Sequence, residues 1–304
     1  MPVRGCWLIV PLFLFSGAII QPDPFAEIES RYGLRLGVAA LNLTTGESLY
    51  YRADTLFPTA SVIKLPVLVE LYRQYARGYL SPQDTVYLHA ARLYPGSGIL
   101  QYLSVPRVLS LQDAAVLMII LSDNTATNLV FDKLGPHHEA RLDSVNRTLR
   151  ALGLEKTTMH NKPFSLQTRK NTPEALRYGI GMTTPREMVE LLRKLARGEV
   201  VSPQACREMI EILKQQQWTE VAPRYLPVEA DSLQIAHKTG AISTARCDVG
   251  LIFSPRDTIA YAVMTDGVQD PRWSIDHKGN VAAAEAARLL YERLHRRPSG
   301  GKGS

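Results

Sequence analysis

Three short stretches of this 304-residue chain hold residue types that together could transfer an acyl group: Ser61-Val62-Ile63-Lys64, Ser122-Asp123-Asn124 and His237-Lys238-Thr239-Gly240. A serine hydroxyl is a poor nucleophile until a base takes its proton. A lysine set among Ile63, Leu65 and Val67 can be desolvated enough to serve as that base. The apolar run from Val62 to Tyr75 predicts a helix that carries Ser61 and Lys64 on one face, with Ser61 at its positive end. Pro66 lacks the N–H that would bond back to Val62, so a local bend is expected there. Each stretch alone has a plainer reading: a helix-capping serine, a surface lysine, an interhelix turn. Their occurrence together favours chemistry.

The elements that must position these residues are legible in outline. Leu34 to Leu43 and Ser48 to Tyr51, joined by Thr44-Thr45-Gly46-Glu47, form one expected hairpin. Val249 to Phe253 and Thr258 to Met264, joined by Ser254-Pro255-Arg256-Asp257, form another. Leu233 to His237 reads as a short strand ending at Lys238-Thr239-Gly240. Between these ends the chain is helical. Ser110 caps a helix whose segment Ala114 to Leu121 is apolar enough to be buried on all sides. Thr184-Pro185 opens another, with Met188, Leu191, Leu192 and Leu195 on one face and Gly198 beyond its end. Val281 to Leu294 is an Ala/Leu-rich helix. Strands at both ends with helices between predict an α/β (α+β) protein whose termini meet in one sheet.

With its three motifs in this order, the chain resembles the class A β-lactamases, within the penicillin-recognising serine acyltransferases. The likeness runs from about Pro24 to about Leu294. It includes Phe57-Pro58-Thr59-Ala60 before Ser61, Leu121 and Thr125-Ala126 around the second motif, and Met182-Thr183-Thr184-Pro185. The resemblance implies a five-stranded antiparallel sheet with flanking helices (about 24–55 and 230–296) beside an all-helical part (about 56–229), with the site between them. It implies Ser61 as nucleophile, Lys64 as base or proton relay, and Ser122 as the bridge to the leaving nitrogen. Asn124 would hold Lys64 and the substrate amide, while Lys238, Thr239 and Gly240 would line a carboxylate site. The backbone N–H groups of Ser61 and Ala241 would form the oxyanion hole. Arg246 is either a second cation for that carboxylate or a plain surface arginine. Gly96 to Leu100 is either a wall of the cleft or only a turn.

One departure stands out. The family deacylates with a loop glutamate followed four residues later by asparagine, and no such pair occurs between Leu154 and Gly181. Flanking helices bring Pro163 or Phe164 to the place of the acid. Glu155 and Glu174 are the nearest carboxylates, both displaced, and His160 is either a water-activating base or an idle loop histidine. Acylation machinery is therefore expected without the usual deacylation group. Beside a β-lactam hydrolase, a D,D-peptidase or esterase and a sensor that stays acylated remain open.

Composition bounds the rest. Arg4, the apolar run Cys6 to Phe15 and Ser16-Gly17-Ala18 read as an export leader cut after Ala18, too short and proline-interrupted for a lasting anchor. A periplasmic or secreted monomer acting on a small molecule is expected, with residues 297–304 a flexible tail. Net charge is +6, but no basic stripe interleaved with aromatics suggests nucleic acid. No histidine or cysteine spacing suggests a metal and no glycine-rich loop a phosphate, so no cofactor is expected. Cys206 and Cys247 are either a disulfide or two buried thiols.

Overall fold

The computed structural model describes residues 23–295. The expected leader (1–18) and tail (297–304) lie outside them. Helix α1 (Pro24–Tyr32) is capped by Asp23 and leads into strand β1 (Arg35–Asn42), which turns back as β2 (Ser48–Tyr51). At the far end of the chain follow β8 (Gln234–Ile242), β9 (Ala245–Phe253), β10 (Thr258–Asp266) and helix α9 (Lys278–Leu294). These strands make the expected five-stranded antiparallel sheet, in the order β2-β1-β10-β9-β8. β1, β9 and β10 are buried along nearly their whole length, because α1 and α9 cover one face while α7 (Pro185–Ala196) covers the other. The lysine motif differs from its expected position: Lys238 to Gly240 sit within β8 instead of ending it.

The middle of the chain folds beside β8. Helix α2 (Lys64–Ala76) is enclosed by α3 (Leu111–Ile120), α4 (Asn124–Phe131), α5 (His138–Ala151) and α8 (Pro203–Lys214). Two small sheets lace this part, β4 (Thr85–Leu88) with β5 (Arg107–Ser110), and β3 (Phe57–Pro58) with β7 (Gly181–Thr183) and β6 (Thr158–Met159). The short helix α6 (Pro173–Tyr178) lies in the loop between β6 and β7. Ser110 and Thr184 cap α3 and α7 as expected. α3 is less enclosed than its sequence suggests, with Val116, Leu117 and Ile120 only partly buried.

Two apolar cores result, one filling the helical part and the inner sheet face, the other between the sheet and α1 with α9. Cys206 and Cys247 are separate buried thiols in the first. A carboxylate also lies inside it. Glu70, 2 % exposed on α2, accepts from Gln74 Nε2 at 2.8 Å, Ser144 Oγ at 2.5 Å and Thr148 Oγ1 at 2.5 Å, tying α2 to α5. Glu70→Ala removes the shared acceptor of Gln74, Ser144 and Thr148 and leaves the buried Thr148 hydroxyl without it, so urea unfolding should register a loss of about 2–4 kcal/mol. An unchanged midpoint would mean that water replaces the carboxylate there.

Candidate active site

The second and third residues after Pro58, Ala60 and Ser61, set the geometry. Ala60 has φ +44°, a left-handed conformation for a residue with a side chain, and turns the chain into a 3₁₀ segment, Ala60–Ile63. Ser61 therefore precedes α2 by one tight turn rather than standing in its first turn. In a 3₁₀ segment residues three apart eclipse one another, so Ser61 and Lys64 still share a face. Pro66 falls at the third position of α2, where an N–H would have no partner within the helix, and the change from 3₁₀ to α geometry occurs two residues earlier, at Lys64.

Lys64 is fully buried, and its ammonium nitrogen meets three acceptors: Ser122 O at 2.6 Å, Asn124 Oδ1 at 2.8 Å and Ser122 Oγ at 3.2 Å. Burial drives its pKa well below the ordinary value, the positive Lys238 adds to that, and Asp123 opposes it. Ser122 itself has φ +53°, which turns its hydroxyl toward the lysine between α3 and α4. Asp123 secures this turn, accepting from Ala126 N at 2.8 Å and from Leu100 N at 2.9 Å. The segment from Gly96 to Leu100 is thus a wall of the cleft. Ser97 Oγ donates to Ser122 O at 2.9 Å, and Asn124 Nδ2 donates to Pro95 O at 2.9 Å.

β8 closes the opposite side as the last strand of the sheet, with one edge unpaired by β9. A Cβ on Gly240 would stand 2.6 Å from Thr59 O and 3.2 Å from Ser61 N, so only glycine lets this strand approach the serine. Ala241 follows directly. Lys238, on the same face as Gly240, is fully buried and donates to Thr239 O at 2.8 Å. Burial lowers its pKa to about 7, against the attraction of Asp248. Asp248 is held behind the strand by His237 Nδ1 at 3.0 Å, Tyr261 Oη at 3.0 Å and Ala222 N at 3.0 Å. Nothing in the sequence pattern singled out that buried set.

Arg246 pairs with Ala241 across the ladder, but it is no surface arginine. It is 3 % exposed, its Nη1 donates to Ala245 O at 2.9 Å and to Ile242 O, and its guanidinium lies 4.7 Å from the Trp273 ring centre.

A model of the β-lactamase enzyme family matches residues 23–294. The chain belongs to that family. The β-lactamase of Streptomyces albus G is 30 % identical, with 92 % of this chain and 86 % of that protein covered. The crystal structure of a β-lactamase from Sphaerobacter thermophilus matches with a TM-score of 0.78 at 30 % identity, covering 90 % of this chain and 96 % of that one. PBP-A, solved as a leucine-to-glutamate variant in its penicillin G acyl-enzyme complex, matches with a TM-score of 0.73 at 28 % identity, covering 89 % and 95 %. The likeness to class A β-lactamases carried by the three motifs extends over the whole fold.

Asn128 Nδ2 donates to Pro163 O at 2.9 Å, and Pro163 is buried. Phe164, at φ +53°, leans over the mouth instead. A methyl added at Gly96 would come within 2.8 Å of Asn124 Nδ2 and 3.0 Å of the Phe164 ring, so ring and amide converge on one spot. The displaced candidates look elsewhere. Glu155 is exposed beside Arg150 at 4.0 Å, Glu174 is exposed on α6, and His160 is buried with Nδ1 3.2 Å from Gly179 O. Burial lowers the pKa of His160, which favours its neutral ring.

The pKa of Lys238 has a measurable consequence for binding a carboxylate. Its cation dominates below pH 7 and is lost as pH rises through that value, so affinity should fall with alkalinity. In a Ser61→Ala background, which separates binding from reaction, the Kd of benzylpenicillin should be about tenfold weaker at pH 8 than at pH 6. Lys238→Arg should flatten that profile, since arginine keeps its charge. A flat profile in the parent would remove Lys238 as the titrating cation.

Proposed function

We propose that the protein opens β-lactams through an acyl-Ser61 intermediate, and that this ester is hydrolysed slowly. The observation that carries the first half is the Lys64 amine, buried one turn from Ser61 and in reach of both Ser122 and Asn124. As a neutral amine it accepts the proton of Ser61 while Oγ attacks the lactam carbonyl. The N–H groups of Ser61 and Ala241 stabilise the oxyanion, a contribution of several kcal/mol for such donor pairs. The C–N bond then breaks, Ser122 gives its proton to the leaving nitrogen, and the Lys64 ammonium re-protonates Ser122. Lys238 and Thr239 hold the substrate carboxylate, and Asn124 its amide. Incubation with benzylpenicillin should add one penicilloyl mass to the intact protein, and Ser61→Ala should abolish that addition. Labelling that survives the substitution would refute this mechanism.

The second half rests on what faces the ester. At the place where the family carries a glutamate, the loop offers Pro163 and Phe164, while the nearby carboxylates point to solvent. General-base assistance is worth about 10²–10⁴-fold, so its absence predicts a burst near one equivalent followed by a slow steady rate. Phe164→Glu should shorten the acyl-enzyme lifetime at least tenfold without slowing its formation, followed by stopped-flow absorbance and mass spectrometry. An unaltered lifetime would mean that another group already activates the water. If the parent never turns over, it is an acylated penicillin-binding sensor; release of D-alanine from a cell-wall pentapeptide would instead mark a D,D-peptidase.

Export fits this reading, because the substrates reach such enzymes outside the cytoplasm. Among the described residues no helix is long and apolar enough to cross a membrane. We take the working form to be a monomer that needs no cofactor.

A further inference from the structure

Trp273 is 70 % exposed, yet it is held in place. Its ring lies on the buried Arg246 guanidinium, 4.7 Å from ring centre to carbon, a cation–π contact that fixes one ring face and leaves the other open. The loop that carries it is tied on both sides. Val268 N donates to Thr244 O at 3.0 Å in the β8–β9 turn. Asp270 accepts from Arg272 Nε at 2.8 Å and Nη2 at 2.7 Å and from Lys278 N at 2.9 Å, and Arg224 Nη1 donates to Ile275 O at 2.5 Å. A large aromatic kept in water on a braced loop is a preorganised contact surface rather than a stray apolar residue.

The ladder register gives the face of the sheet on which Trp273 stands. Partners across an antiparallel ladder point to the same face, and Ala241 pairs with Arg246 while Thr239 pairs with Asp248. Thr239, Ala241, Arg246 and Asp248 therefore share one face of the sheet, and Lys238 and Gly240 the other. Trp273, stacked on Arg246, stands on the Thr239 face, opposite Lys238 and Gly240, so of the two side chains given the carboxylate in the reading above it shares a side with Thr239.

We propose that Trp273 is a specificity-determining residue that stacks on a flat, aromatic substituent borne by the substrate on the ring carbon next to its carboxylate. Cephalosporins can carry such a group at that position. Penicillins carry two methyl groups there, and their variable acyl group lies at the opposite end of the molecule. Arg246 is then a positioning residue, which backs one face of the indole and is itself held by its hydrogen bonds to Ile242 O and Ala245 O. The inference rests on the carboxylate-binding role given to Lys238 and Thr239.

The test compares equilibrium binding of nitrocefin, which carries a dinitrostyryl group at that carbon, with that of benzylpenicillin, both on the Ser61→Ala protein. Adding Trp273→Ala should weaken nitrocefin about 3–10-fold, the range expected for one aromatic stack, and change benzylpenicillin less than about twofold. Trp273→Phe should restore most of the nitrocefin affinity. Binding of both compounds with their ratio unmoved by Trp273→Ala, or equal losses for both, would overturn the stack while leaving the β-lactam reading intact. Binding of neither compound by the parent would overturn both.

Discussion

The burial of one amine organises this protein. Lys64 has no exposed surface, and a charged ammonium at that place is disfavoured by desolvation. Stability of the site therefore depends on three oxygen acceptors arriving from a different part of the chain, at Ser122 and Asn124. Those acceptors are in place only because Asp123 caps α4 and receives Leu100 N, and because Ser122 adopts a left-handed backbone. Burial and the neighbouring Lys238 charge lower the proton affinity of Lys64, the property that the base role proposed above requires. Structure and chemistry here draw on one interaction.

The sheet contributes the complementary half. β8 must pass close to the Thr59–Ser61 backbone, and Gly240 removes the side chain that would prevent it. Behind the strand, His237, Tyr261 and Ala222 converge on Asp248, whose negative charge offsets part of the burial felt by Lys238. Two fully buried lysines thus face one cleft in different surroundings. Lys238 draws on a carboxylate anchored in the sheet, whereas the charge of Lys238 itself pushes Lys64 toward neutrality. The proposed division of labour, anion binding for Lys238 and proton transfer for Lys64, would draw on these surroundings rather than on residue type.

Local signals in the sequence determined the hairpins, the caps at Ser110 and Thr184, and the three reactive motifs, because each depends on neighbours within a few residues. The missing loop glutamate was also plain in the sequence, since its absence needs no coordinates. Extent and direction were decided by the tertiary fold. β8 runs on through Lys238 to Ile242 because β9 supplies hydrogen-bond partners from the far side of a turn. Ser61 sits in a 3₁₀ turn because Ala60 is forced to positive φ where Gly181 O and Val62 N both bond to Thr59. Only the packed structure sends Pro163 inward and Phe164 to the mouth, buries Arg246 under Trp273, and gives Glu70 its partners on α5. Those outcomes join residues far apart in the chain, and a desolvated charge or a ring stacked across two elements leaves no mark in the local pattern of either.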